Sequence, residues 1–133
     1  MSGAVCQQAG RVTPREMRPH TVKERRRLYV VACAAIERYY QRSLTLEALA
    51  GVLATSPRQI QRAFEQFGER TFKEELLARR MGVAAELLSE PTVPVQEVAL
   101  LVGYRRGAHF ARTFRRCHGV SPSAYRRAQL TEC

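Results

Sequence analysis

With 133 residues, 45% hydrophobic and 26% charged, the chain makes one ordinary domain or two very small ones, and its composition excludes general disorder. Its formal net charge of +10 is uneven: residues 1–45 carry nine Lys/Arg against three acids, 46–102 six against eight, and 103–133 seven against one. Such asymmetry implies a polyanionic partner. No apolar run reaches the roughly 18–20 residues that cross a bilayer, and "MSGAVCQQAG" is no secretory leader, so the expected address is cytoplasmic with no membrane partner.

β-branched residues never alternate with polar ones long enough for a sheet, so the expected class is all-α. Residues 1–20, with Gly3, Gly10, Pro14 and Pro19, read as a flexible basic arm. A helix follows from Thr21 to Gln41, with Leu28, Val31, Ala32, Ala35, Ile36 and Tyr39 at helical spacing. In "SLTLEALAGVLATS" Thr45 caps a short helix whose buried stripe is Leu46, Leu49, Ala50 and Leu53.

The stretch "SPRQIQRAFEQFG" opens a third helix at Ser56. The Ser56 hydroxyl caps it, Pro57 fits its first position, and Gln59 can close a capping box. Ile60, Phe64 and Phe67 then face a core, Arg58, Gln61, Arg62 and Glu65 lie opposite, and Gly68 ends the helix. Residues 72–90 predict a longer helix with Phe72, Leu76, Leu77, Met81, Ala84, Ala85 and Leu88 apolar; Gly82 interrupts it, and Pro91 and Pro94 stop it.

The first pattern then returns. Val95, Val98, Ala99 and Leu101 or Val102 echo Leu46, Leu49, Ala50 and Leu53, while Phe110, Phe114 and Cys117 follow Ile60, Phe64 and Phe67 at a fixed offset of 50, as Arg112 follows Arg62. This is an internal duplication of a helix pair. A short helix, a tight turn and a second helix with an apolar inner stripe make the helix-turn-helix plan. On its exposed face arginine can bond guanine O6 and N7, and glutamine adenine N6 and N7. A solvated surface carries the same residues, so composition alone leaves both readings open; duplication, charge and spacing favour the first.

From about Ile36 to Arg127 the sequence resembles the DNA-binding domain of the AraC/XylS family of bacterial transcription regulators. The matching runs are "LTLEALAGVLATSPRQIQRAFEQFG", "FKEELLARRMGVAAELL", "VPVQEVALLVGY" and "HFARTFRRCHGVSPSAYRR". The family signature falls on Ala99, Gly103, Tyr104, Phe110, Arg112, Phe114, Gly119, Pro122 and Tyr125. The resemblance implies two helix-turn-helix subdomains, homeodomain-like three-helix units over 21–71 and 91–128, joined by a linker helix over 72–90, with a tail at 129–133. Recognition helices over about 56–67 and 106–117 would enter successive major grooves about 34 Å apart, letting the chain bind double-stranded DNA as a monomer.

Carried over, the base-reading positions fall on Arg58, Gln61 and Arg62 in the first motif and on Ala108, Ala111 and Arg112 in the second. Gly107 and His109 flank the second set, and Gln59 and Gln66 the first. The second motif departs from the family pattern: Arg106 holds the usual small polar cap position, and Gly107 and Ala108 replace longer readers. Ala108 and Ala111 could meet thymine methyls. Arg105, Arg106, Arg115, Arg116, Arg126 and Arg127 suit phosphates, so the first motif is expected to supply discrimination and the second affinity. The resemblance further implies an activator that contacts RNA polymerase.

With only about 35 residues before the matching region, the chain resembles the short stand-alone regulators of the family; the alternative is a DNA-binding fragment of a larger effector-responsive regulator. The stretch "RPHTVKERRRLYVVACAAIERYY" exceeds what the first helix needs, and could grip phosphate, contact a partner or, the reading favoured here, extend a solvated helix.

Two rival classes are weaker. His20, His109 and His118 form no Ser/His/Asp order, and neither paired carboxylates nor a Gly-rich phosphate loop is present, so no enzyme and no cofactor is expected. Some DNA-repair alkyl-acceptor proteins carry this kind of domain, but Cys6 alone is slight support. Cys33 and Cys117 fall within apolar helical patterns, and the four cysteines lack metal-ligand spacing, so they read as reduced thiols with no metal. A basic RNA-binding module would expose aromatics for stacking, whereas Phe64, Phe67, Phe110 and Phe114 fall on inward stripes.

Overall fold

The computed structural model describes residues 19–131. Among them are seven helices and no strand: α1 (Pro19–Tyr39), α2 (Leu46–Val52), α3 (Pro57–Phe67), α4 (Phe72–Leu88), α5 (Val95–Leu101), α6 (Gly107–His118) and α7 (Pro122–Thr131). The all-α expectation holds. The arm expected over 1–20 lies outside the described residues except for Pro19 and His20, which open α1; of the expected tail, residues 129–131 are helical and 132–133 lie outside. None of these helices is long and apolar enough to cross a membrane.

The described residues divide into two compact units, the first comprising 19–34 together with Leu46–Phe72, and the second Ala35–Thr45 together with 73–131. In the first unit Leu28 and Ala32 of α1, Leu49 and Ala50 of α2, and Ile60, Ala63 and Phe64 of α3 are buried. Tyr29 meets Phe64 edge-on at 5.1 Å and Phe67 at 6.4 Å, and Phe64 meets Phe72 edge-on at 5.9 Å. Gly68 ends α3, though not in the left-handed conformation common at such caps, since its φ is −108°. Space dictates the glycine instead: a Cβ would lie 2.9 Å from Tyr29 Cε1 and 3.1 Å from the Phe64 carbonyl oxygen.

In the second unit Met81, Ala84 and Leu88 of α4, Val98, Ala99 and Val102, Tyr104, and Phe110 and Phe114 of α6 form one buried cluster, with Tyr40 and Tyr125 packed against it. The helix expected to act as a linker is thus packed into this core from Met81 to Leu88. Val102, fully buried, completes the α5 stripe, and Leu101 is 45% exposed.

Two arginines from neighbouring helices close helix ends whose last carbonyls have no partner within the helix. At the end of α1, Arg80 Nε donates to the Tyr40 carbonyl and its NH2 to that of Arg42, both at 2.7 Å. Beyond the end of α4, Arg126 Nε donates to the Leu88 carbonyl at 2.9 Å, and its NH2 to those of Glu90 and Val93. This corrects the reading of Arg126 as a phosphate ligand: its guanidinium is committed to main-chain oxygens, whereas Arg127 is exposed.

Candidate nucleic-acid interface

The duplication is visible in the backbone hydrogen bonds. After α2 the Thr55 N–H bonds the Ala50 carbonyl at 2.9 Å and the Ala54 N–H that of Gly51 at 3.3 Å; after α5 Tyr104 bonds Ala99 at 2.8 Å and Gly103 bonds Leu100 at 3.1 Å. Both are Schellman endings, in which the residue past the helix turns left-handed. Ala54 takes that position with φ 55° and Gly103 with φ 101°. The two turns then differ by one residue, for Ser56 caps α3 and Arg106 stands at the cap of α6. Arg105 is the insertion. The repeat offset is therefore 49 through the first helix of each pair and 50 through the second.

The start of α3 is capped, with the Gln59 N–H donating to Ser56 Oγ at 3.2 Å; α6 has no side-chain cap at Arg106. Each second helix buries one stripe: Ile60, Ala63 and Phe64 in α3, and Phe110, Thr113 and Phe114 in α6. Thr113 is accommodated because its hydroxyl donates to the His109 carbonyl at 2.9 Å.

At about 100° per residue, Arg58, Gln61 and Arg62 fall together on the side of α3 away from its buried stripe. Arg58 and Gln61 are exposed and Arg62 half-buried. In α6 the same spacing brings together Ala108, Ala111 and Arg112, exposed except for the half-buried Ala111. Gly107, Arg105, Arg106, Arg115 and Arg116 are exposed around them. His109 is exposed, with its ring edge-on to Tyr104 at 5.1 Å. Gln59 is half-buried, and Gln66 accepts a hydrogen bond from Arg25 of α1 at 3.3 Å.

Cys117 departs from expectation. It is exposed, and its neighbour His118 covers Phe114 instead, with the rings 4.3 Å apart. A His118 ring nitrogen also lies 3.3 Å from the Met81 carbonyl, a bond whose sense depends on the tautomer. Among the described residues no group of three or more His, Cys, Asp or Glu could hold a metal.

Outside the helix pair, α1 carries a basic face of its own. Lys23, Arg26 and Arg27 are exposed, and the Arg26 guanidinium lies over the Phe67 ring at 5.6 Å. Arg27 pairs with Glu24 at 2.7 Å. The hydrogen bond from Arg27, with its charge, holds the Glu24 carboxyl below its ordinary range, and Glu24 raises Arg27 in turn.

Residues 49–128, more than half of the chain, match the model of a helix-turn-helix domain. The chain belongs to the AraC/XylS family of helix-turn-helix proteins. It is 36% identical over 100 residues to the uncharacterized HTH-type transcriptional regulator YijO of Escherichia coli, covering 73% of this chain and 35% of that protein. Among solved structures it is similar to the C-terminal domain of AraT, a response regulator from Geobacillus stearothermophilus (35% identity, TM-score 0.74, covering 76% of this chain and 84% of that one). It is also similar to the DNA-binding domain of the global transcriptional factor AdpA, solved with a target DNA (30% identity, TM-score 0.70, 79% and 94% covered). The chain spans between about a quarter and a third of the length of the curated relatives it matches. The family is one of transcription regulators, not of enzymes.

Proposed function

We propose that this AraC/XylS-family chain is a sequence-specific regulator of transcription that binds double-stranded DNA through α3 and α6, entering successive major grooves as a monomer. The observation that carries the reading is the doubled helix pair: in each copy a Schellman turn with the same hydrogen-bond pattern leads into a helix that buries two large apolar side chains and turns a basic or amide-bearing face outward. Arg58, Gln61 and Arg62 read base edges by donating to purine acceptors, with the Gln61 carbonyl free to accept from adenine N6. Ala108, Ala111 and Arg112 contribute thymine-methyl contacts and one guanine reader. Arg105, Arg106, Arg115 and Arg116, with Gly107, His109, Gln59 and Gln66 beside the readers, set the register on phosphates. Activation by contact with RNA polymerase completes the proposal, with action in the cytoplasm at the nucleoid.

Selection of bound sites from random duplexes at fixed salt, followed by footprinting, tests it. Two protected major-groove segments one helical turn apart are expected; protection confined to one turn, or no preference among duplexes, refutes it. The greater length of the curated relatives supports a second reading, in which the same domain serves a larger effector-responsive regulator. An immunoblot of native cells showing a band well above the chain's 15.1 kDa would decide for that reading.

A further inference from the structure

We infer that the N-terminal half of α1 is a third DNA-binding element, in which Lys23 and Arg26 grip the phosphate backbone flanking the groove that α3 enters. The inference rests on the reading of α3 as a recognition helix and extends it to a segment outside the helix pair.

Three observations within the first unit carry it. The polar face of α3 does not stop at Arg62: Gln66 lies one turn further on, at i+4, and is exposed. There it meets α1, because Arg25 NH1 donates to Gln66 Oε1 at 3.3 Å. That bond uses the amide oxygen, leaving the Gln66 amide nitrogen as a donor toward an anion. Next to it Arg26 lies over Phe67 at 5.6 Å, and Tyr29 packs against Phe64 and Phe67. The register of α1 on α3 is thus set by a hydrogen bond, a cation–ring stack and an aromatic edge.

The exposed face that follows carries Lys23, Arg26 and Val30, at i, i+3 and i+7, with Arg27 beside it. Arg27 is paired with Glu24. Lys23 and Arg26 are both exposed, and among the described residues neither has an acidic partner. A helix lying in a major groove has a phosphate strand on either side. A cationic row continuous with the flank of that helix complements such a strand, and arginine donates two parallel hydrogen bonds to phosphate.

The test is a salt titration of the full chain, measured by fluorescence anisotropy on the selected duplex and on a random one, from 50 to 200 mM salt. Each phosphate contact contributes about 0.9 to the slope of log K against log salt. Lys23→Gln combined with Arg26→Gln should make that slope shallower by about two and weaken both duplexes alike. Lys23→Gln alone, which keeps the Arg26 stack on Phe67, should make it shallower by about one. An unchanged slope in both variants overturns the inference, and so does a loss of site preference, because α1 would then be acting through the placement of α3. If Arg58→Ala still erases site preference while the slopes stay unchanged, the inference fails and the reading beneath it stands. If the wild-type chain binds neither duplex, both fall.

Discussion

Gly103→Ala and Ala54→Gly alter the same corner of the repeat in opposite directions. Gly103 has φ 101°, and a Cβ there would lie 3.2 Å from the carbonyl oxygens of Tyr40 and Gln41 and 3.3 Å from Arg80 Nε. A left-handed backbone costs an L-residue about 1–2 kcal/mol, offset by about 0.4–1 kcal/mol because alanine stiffens the unfolded chain. The added methyl also presses on the Tyr40 carbonyl, which accepts from Arg80 at 2.7 Å. A hydrogen bond to a charged group contributes about 1.5–3 kcal/mol, so losing about half of it brings the total to about 1–3 kcal/mol. At Ala54 the conformation is the ordinary left-handed one, φ 55°. Glycine there removes the 1–2 kcal/mol and restores the unfolded freedom, a net gain of about 0.5–1 kcal/mol. Urea unfolding gives the totals, and hydrogen exchange locates them: faster exchange in α5 and α6 for Gly103→Ala, slower in α2 and α3 for Ala54→Gly. If Gly103→Ala unfolds within about 0.5 kcal/mol of wild type, or Ala54→Gly is destabilised, the backbone argument is wrong.

Gly82→Ala should raise stability by up to about 1 kcal/mol, since a Cβ at this exposed position in α4 meets nothing within 4 Å; thermal unfolding checks it, and a loss would point to a role for the gap. Ser56→Ala removes the hydroxyl that accepts from the Gln59 N–H and should cost about 1 kcal/mol, read as faster amide exchange in the first turn of α3. For DNA binding, Arg62→Ala should cost roughly 1–3 kcal/mol and relax preference at one base pair, while Arg116→Ala should weaken all duplexes and flatten the salt slope by about one. Equal losses on selected and random DNA from both substitutions would sink the division of labour between α3 and α6.

Local patterns in the sequence determined the helices, the doubling and the inward faces. Ser56 and Pro57 start α3 as their chemistry requires, Phe110 and Phe114 are buried where the 3.6-residue period puts them, and α4 ends at Leu88 ahead of Pro91. These features depend on residues within a turn or two of each other, so spacing alone encodes them. Tertiary packing decided the partners of the long side chains. Arg115 and Arg126 look alike in sequence, yet one is exposed and the other closes the end of a helix more than 30 residues away. Likewise Gln66 reads only as a flank of the base-reading set until α1 is laid beside it, and Gly68 reads only as a helix stop until Tyr29 occupies the space of its missing Cβ. An arginine can reach several ångströms in many directions, and which carbonyl, ring or anion it finds depends on which chain segments folding has brought near.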